Sequence, residues 1–161
     1  MSAPSSGIAP VTDPVLRSAH TADLSILQVL ESLFPGDRLS LRQLRHHLTN
    51  PHAVMRVIET EYALAGYSLL LTRSGSRAAR LYSIAVAPAF RGQGMGRRLL
   101  DDVVAQARAR GCDELRLEVR PDNEAAIRLY RDYGFVPNGT RPHYYQDGAD
   151  ALRFRLDFAT A

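Results

Sequence analysis

The sequence predicts an α+β domain in which a mixed, largely antiparallel sheet of six to seven strands is flanked by about four helices. Three observations predict it. Segments of alternating or β-branched character outnumber those with helical spacing. Three of them follow one another with no helix between, which makes an antiparallel meander. A single strand–helix–strand run further along supplies one crossover. The length, 161 residues, is that of one ordinary domain. That domain is assigned to 14–161, after a flexible N-terminal tail at 1–13 that is rich in Ser, Ala and Pro. The tail has neither a basic start nor an apolar block, so it does not read as a secretory signal.

The elements follow in order. Residues 14–19 read as a short strand. Thr21 or Asp23 caps a helix whose Leu24, Leu27, Leu30 and Leu33 recur at helical spacing until Pro35-Gly36 stops it. Ser40 caps a second helix, with Leu41, Leu44 and Leu48 as its buried stripe and Asn50-Pro51 as its end. The meander occupies 53–59, 64–72 and 79–86, with a turn at Ser74-Gly75-Ser76 between the last two strands. Over 95–110, Leu99, Leu100, Val103, Val104 and Ala107 form one helical face, and Gly111 stands where a C-terminal cap belongs. Over 114–120, Leu115, Leu117 and Val119 alternate with Arg116, Glu118 and Arg120, giving a strand with one apolar and one charged face. A short helix at 123–133 ends at Gly134, and two strands near 135–141 and 151–158 close the chain.

Composition removes several function classes. The hydrophobic share of 45% and charged share of 23% are those of a soluble globular protein, and no apolar run reaches the ~18 residues of a membrane span. All 20 basic residues are arginine, and they are interspersed with 17 acids along the whole chain. Without a basic stripe, the net charge of +3 does not point to nucleic acid. The lone Cys112 builds no disulfide framework, which fits a reducing cytoplasm, and at the opening of a strand it reads as packed rather than reactive. His46, His47 and His52 lie close together, but no acid or cysteine stands at ligand spacing, so no metal site is expected.

The most specific local signal is Arg91-Gly92-Gln93-Gly94-Met95-Gly96-Arg97, between the strand ending at Val86 and the helix starting near Met95. Alternate glycines bare the backbone where a helix start presents unpaired N–H groups and partial positive charge, which suits a pyrophosphate. Arg91 and Arg97 add charge to it. Two other readings stand beside this one: a tight strand-to-helix turn, or a dinucleotide fold with Glu118 near the distance of a ribose-binding acid. Against the latter, Arg97 occupies the third glycine position. A Walker loop needs a lysine, and the chain has none.

Ser83-Ile84-Ala85-Val86, the Arg91-to-Gly96 loop, Leu117-Glu118-Val119-Arg120, Asn123, Leu129-Tyr130 and Tyr133-Gly134-Phe135, in that order, resemble the GNAT acetyltransferases. Within them the spacing is most similar to the RimI-type ribosomal-protein alanine N-acetyltransferases and related protein N-terminal acetyltransferases. The resemblance covers roughly 15–158 and is strongest over 83–135. It implies the GNAT sheet and acetyl-CoA as co-substrate. The reaction it implies is direct transfer of acetyl, in a ternary complex, to a primary amine, foremost the α-amine of a protein or peptide.

The same resemblance assigns residues. Ile84, Ala85 and Val86 would pair with the pantetheine arm, and the Val86 N–H would stabilise the oxyanion of the tetrahedral intermediate. Arg91, Gly92, Gln93, Gly94, Met95, Gly96 and Arg97 would hold the pyrophosphate, and Asn123 would touch the cofactor. Glu118 matches the general base, acting directly or through a water, and Tyr130 the acid that protonates the departing thiolate. Tyr144 and Tyr145, in a hairpin continuing through Gln146, Asp147 and Gly148, would bind the substrate backbone.

Spacing alone leaves alternatives. Glu118 could be an exposed strand residue paired with Arg116 or Arg120, Tyr130 a packing residue on a stripe with Ala126 and Tyr133, and 144–151 a polar hairpin. The chemistry is undemanding: an α-amine of pKa about 8 is far easier to deprotonate than a lysine of about 10.4, so one modest base suffices. Phe34-Pro35-Gly36-Asp37, in the region that sets specificity in the family, does not identify a peptide. A small-molecule amine is the alternative acceptor, and a CoA-binding regulatory module without turnover is the alternative of another class. Either a monomer or a homodimer is compatible with the sequence.

Overall fold

The computed structural model describes residues 13–34 and 37–158. The expected tail, Asp13 apart, and the Pro35-Gly36 helix stop lie outside the described residues. Along the chain come β1 (Val15–Ser18), α1 (Leu24–Ser32), α2 (Leu41–Thr49), β2 (Ala53–Glu59), β3 (Leu64–Leu71) and β4 (Ala78–Val86). These are followed by α3 (Met95–Ala109), β5 (Glu114–Val119), α4 (Glu124–Tyr133), β6 (Val136–Arg141) and β7 (Ala151–Asp157).

Local chemistry explains the helix ends. Ser40 and Gln43 form a reciprocal box at the start of α2: Ser40 Oγ accepts the Gln43 N–H at 3.1 Å, and Gln43 Oε1 accepts the Ser40 N–H at 2.8 Å. At the entry to α1 a 3-10 turn at Thr21–Asp23 comes first; Asp23 stands at the N-cap position, as expected, but its side chain caps no N–H of α1. Asp23 is occupied elsewhere. Its carboxylate accepts the His20 N–H at 2.7 Å and takes the Arg17 guanidinium in a fork at 2.8 and 2.9 Å.

The seven strands lie in the order β1-β2-β3-β4-β5-β7-β6. Every neighbouring pair is antiparallel except β4 and β5, which the α3 crossover makes parallel. That parallel ladder is short: it joins Ala78, Ala79 and Arg80 to Glu114, Leu115 and Arg116 and then stops. Beyond it the two strands part. On the other side of β4 the register with β3 shifts, since Leu69 faces Ser83 while Leu70 faces Leu81. Tyr82 is therefore an extra, bulged residue.

Apolar clusters on both faces of the sheet hold the layers together. On one face α3 and α4 pack Leu100, Val103, Ala107 and Tyr130 against Leu81, Leu115, Leu117 and Phe154. On the other, α1 and α2 press Leu27 and Leu44, both without exposed surface, onto Met55, Val57, Tyr67 and Leu69. Each such leucine contributes about 1.5–3 kcal/mol of burial. β3 lies under helices on both sides, which is why its sequence is almost continuously apolar. At Gly66 it approaches β4 so closely that a Cβ would sit 2.3 Å from the Ala85 carbonyl oxygen. Among the described residues, α1 and α2 stop short of β5 and β7, and no helix covers the face with Arg116, Glu118 and Arg153. Among the described residues, no helix is long and apolar enough to cross a membrane.

Candidate active site

Where β4 and β5 part, a cleft of about 320 Å³ opens between β4, the loop before α3 and the start of α4. Ile84, Ala85 and Val86 line one wall; Arg91, Gly92, Gly94, Met95 and Gly96 line the loop side; Asn123, Leu129 and Tyr130 stand opposite. The backbone of β4 is half free here. Ala87 donates its N–H to the Ala65 carbonyl at 2.7 Å, and Gly66 faces Val86 in register. By the alternation of an antiparallel ladder, Ala85 and Ala87 face β3, while the N–H groups of Ile84 and Val86 point into the cleft.

The loop presents backbone rather than side chains. Gly92 and Gly94 have φ of 76° and 78°, and no side chain caps the first N–H groups of α3. Gly96 serves packing as well, because a Cβ there would meet Leu129 Cδ2 at 3.0 Å as α3 closes on α4. Asn123 caps α4, its Oδ1 accepting the Ala126 N–H at 3.2 Å, so two helix N-termini border the same cleft. Two residues assigned to the cradle do not border it. Gln93 is exposed, and Arg97 lies with its guanidinium 5.4 Å above the Tyr133 ring.

The two residues assigned to proton transfer come together. Glu118 and Tyr130 both line a cavity of about 150 Å³, shared with Ser83, Ile84, Asn123 and Tyr145. The Glu118 side chain is only 7% exposed; Arg80 Nε donates to its Oε2 at 3.1 Å and Arg141 Nη1 to its Oε1 at 3.4 Å. The local pairing open from spacing is not the arrangement found, since Arg116 turns to Glu114 at 2.8 Å and Arg120 to Asp147 at 2.6 Å. Tyr130 is buried edge-on against Phe135, with ring centroids 5.5 Å apart. Burial, with Tyr145 nearby, raises its phenol above the usual tyrosine range.

Glu118 also borders a second cavity, about 340 Å³, with Glu31, Asp37, Tyr82, Ser83, Tyr144 and Tyr145. Glu31 fastens its floor: Oε2 accepts the Leu39 N–H at 2.8 Å, and Oε1 accepts the Tyr67 hydroxyl, which also bonds Ser83 Oγ at 2.9 Å. Tyr144 and Tyr145 sit in the connection between β6 and β7, where both N–H groups donate to the Ala149 carbonyl at 3.1 Å. The Tyr144 hydroxyl bonds the Arg80 guanidinium, and Arg120 lies 4.8 Å above the Tyr145 ring. Burial pushes the Tyr145 hydroxyl up to about 12. The Gln146 N–H reaches Asp37 Oδ2 at 3.3 Å, so this connection roofs the cavity from the far side.

A split sheet with a bare loop and helix start at the split is matched by comparison with known proteins. The Acetyltransferase (GNAT) family model matches residues 22–135, well over half of the chain. The chain belongs to the GNAT acetyltransferase family. This GNAT chain is 38% identical over 152 residues to N-alpha-acetyltransferase RimI of Mycobacterium tuberculosis, spanning 91% of this chain and 94% of that protein. It is also 38% identical over 149 residues to an uncharacterised Mycobacterium leprae protein, of whose length it spans 40%. The crystal structure of the ribosomal-protein-S18-alanine N-acetyltransferase of Escherichia coli superimposes with a TM-score of 0.80 at 28% identity, over 92% of this chain and 96% of that one. The protein is an acetyl-CoA-dependent N-acetyltransferase.

Sequence reasoning missed several residues of this GNAT site. Arg80 and Arg141 hold Glu118 across 38 and 23 residues of chain, a separation at which no local pattern is readable. Phe90 and Ala125 line the cleft with no motif to mark them, and Phe34, marked in the sequence only as part of the specificity region, lines it too. Glu31 did leave a readable trace: it falls four residues after Leu27, placing an acid on the apolar stripe of α1.

Proposed function

We propose that this enzyme acetylates the N-terminal α-amine of a protein or peptide, by direct attack on acetyl-CoA in a ternary complex. We read 14–161 as one catalytic domain working in the cytoplasm. The observation that carries the reading is that Glu118 and Tyr130 share one cavity lying between the cofactor cleft and the roofed acceptor cavity. RimI of Mycobacterium tuberculosis is named for Nα-acetylation, which supports the same acceptor class.

The cofactor side follows from the free backbone. The N–H groups of Ile84 and Val86 pair with the amides of the pantetheine arm, as an added strand would. Gly92, Gly94 and the α3 start accept the pyrophosphate, with Arg91 beside them. At the end of the arm the thioester carbonyl lies against the Val86 N–H. The acceptor amine enters through the cavity under Tyr144 and Tyr145 and gives a proton to Glu118, oriented by Arg80 and Arg141. The neutral amine nitrogen then bonds the carbonyl carbon, the Val86 N–H stabilises the oxyanion, the carbon–sulfur bond breaks, and the nitrogen's second surplus proton makes good the one that Tyr130 gives up. Tyr130 protonates the departing thiolate. Its phenol is protonated at neutral pH and so has a proton to give.

The test is thiol release from acetyl-CoA with two peptide sets: free N-termini without lysine, and blocked N-termini with one lysine. Having no lysine of its own, the enzyme gives little self-modification background. Turnover confined to the free N-termini is the expected result. Turnover of the lysine set alone, or of a small amine with both sets silent, refutes the N-terminal reading.

A further inference from the structure

The uncovered face of β5 and β7 holds a groove of about 390 Å³ bordered by Arg73, Arg80, Arg116, Arg141 and Arg153. These arginines are scattered in the sequence, and the sheet gathers them. Arg80 faces Arg116 directly across β4 and β5, and Arg116 faces Arg155 across β5 and β7. Like charges directly opposite one another destabilise a strand pair, so this row is a cost without a packing return. Neighbouring acids answer it in part: Glu118 takes Arg80 and Arg141, Glu114 takes Arg116, and Asp157 takes Arg155. Glu118 is the groove's one carboxylate among the described residues, and within them neither Arg73 nor Arg153 pairs with an acid.

Glu118 also belongs to the acceptor cavity, where the balance is reversed: Glu31, Asp37 and Glu118 stand against Arg38. The site is thus negative where the amine enters and positive beyond Glu118. We infer that the groove takes the acceptor chain a few residues past its amine and selects acidic residues there. The inference rests on the N-terminal acceptor reading above. Arg153 is the partner of Glu118 across β5 and β7, a neighbour at about 5 Å. An extended chain advances about 3.3 Å per residue, so its arginine contacts begin near the third acceptor residue. Guanidinium groups meet carboxylates there in forked, charge-assisted pairs. A second copy of this face is a poor occupant, because a twofold contact sets arginine against arginine.

The experiment uses peptides sharing their first two residues and differing at positions three to five, acidic in one series and arginine-rich in the other. At low salt the acidic series is expected to exceed the basic series at least tenfold in kcat/KM, through KM, and the gap is expected to narrow as salt rises. In an Arg116→Glu/Arg153→Glu variant the acidic-to-basic ratio falls below one. The ratio is read within one protein, so a general loss of activity cancels. Arg73→Glu, outside the β4–β5 and β5–β7 ladders, serves the same comparison should the double variant not fold, and there the ratio drops severalfold. Equal values for both series, or a ratio untouched by the variants, overturn the inference while leaving N-terminal acetylation standing. Equal values together with inhibition by an RNA oligonucleotide reassign the groove to nucleic acid and overturn it too. Silence with every peptide overturns the acceptor reading and this inference with it.

Discussion

Replacing Glu118 by glutamine removes a proton acceptor and little else. The side chain keeps its shape and one oxygen for a guanidinium, while Arg80 and Arg141, 34% and 52% exposed, lose part of a charged partner. Ion pairs of that exposure contribute no more than about 1 kcal/mol, which at this size lowers Tm by about 2–4 °C. The kinetic effect is larger. General-base catalysis accounts for about 10²–10⁴-fold, but an α-amine of pKa about 8 is already about one-tenth neutral at pH 7. The lower end is therefore expected: kcat falls about 10²-fold, about 2.7 kcal/mol in barrier height. Because Glu118 does not line the cofactor cleft, acetyl-CoA affinity by calorimetry stays within about twofold. Thiol-release kinetics at pH 7 and pH 9 give the decisive comparison, since the defect narrows once the amine deprotonates unaided. A variant kcat within threefold of wild type at pH 7 refutes Glu118 as the base.

Three further outcomes follow from other parts of the molecule. Tyr130→Phe should lower kcat by up to about 10²-fold with little change in Tm. Since burial raises the Tyr130 phenol, wild-type kcat should show no Tyr130-dependent decline below pH 10; a decline there that vanishes in the variant contradicts the assignment. Asp23 is held below its usual 3.8 by the Arg17 hydrogen bond, so its stabilisation is complete above that value and is lost as pH falls through the lower folded-state one. Urea melts should therefore separate wild type from Asp23→Asn by about 1–3 kcal/mol at pH 7 and by less at pH 3; a constant gap refutes it. Gly66→Ala should force β3 and β4 apart, because the new Cβ meets the Ala85 carbonyl oxygen at 2.3 Å. A loss of about 1–3 kcal/mol and weaker acetyl-CoA binding are expected, and an unchanged melt with unchanged affinity would contradict the close approach.

What could be read in advance was local. Ser40 announces the start of α2, Gly111 the end of α3, and the Leu115-Leu117-Val119 alternation the buried face of β5, because each depends on neighbours within four residues. The glycine-bared loop before α3 was legible for the same reason. The environment of Glu118 was not. Spacing offered Arg116 and Arg120, yet those serve Glu114 and Asp147, and the carboxylate instead takes Arg80 from β4 and Arg141 from β6. Which arginine meets which acid depends on strand order, and strand order is a property of the whole sheet. At the α1 entry Asp23 holds the expected N-cap position, but its carboxylate is taken by Arg17 and the His20 N–H instead of by the helix.

The feature that joins fold to chemistry is the extra residue at Tyr82. Before it, Ala79 and Leu81 face the core under α3; without a bulge the same alternation would carry on through Ser83 and Ala85. The insertion flips the phase, as a one-residue slip must. Ile84 and Val86 then turn to the α3 side, where they pack beside Met95 and Leu99, and Ser83 turns to Tyr67. The hydrogen-bonding direction flips with the side chains, so the N–H groups of Ile84 and Val86 point to where β5 has already left the ladder. A parallel pair that ends at Arg80 would by itself leave only an unpaired strand edge. Combined with the bulge, it leaves two particular N–H groups between a glycine-bared helix start and the cavity of Glu118 and Tyr130, and that juxtaposition is what an acyl-transfer site requires.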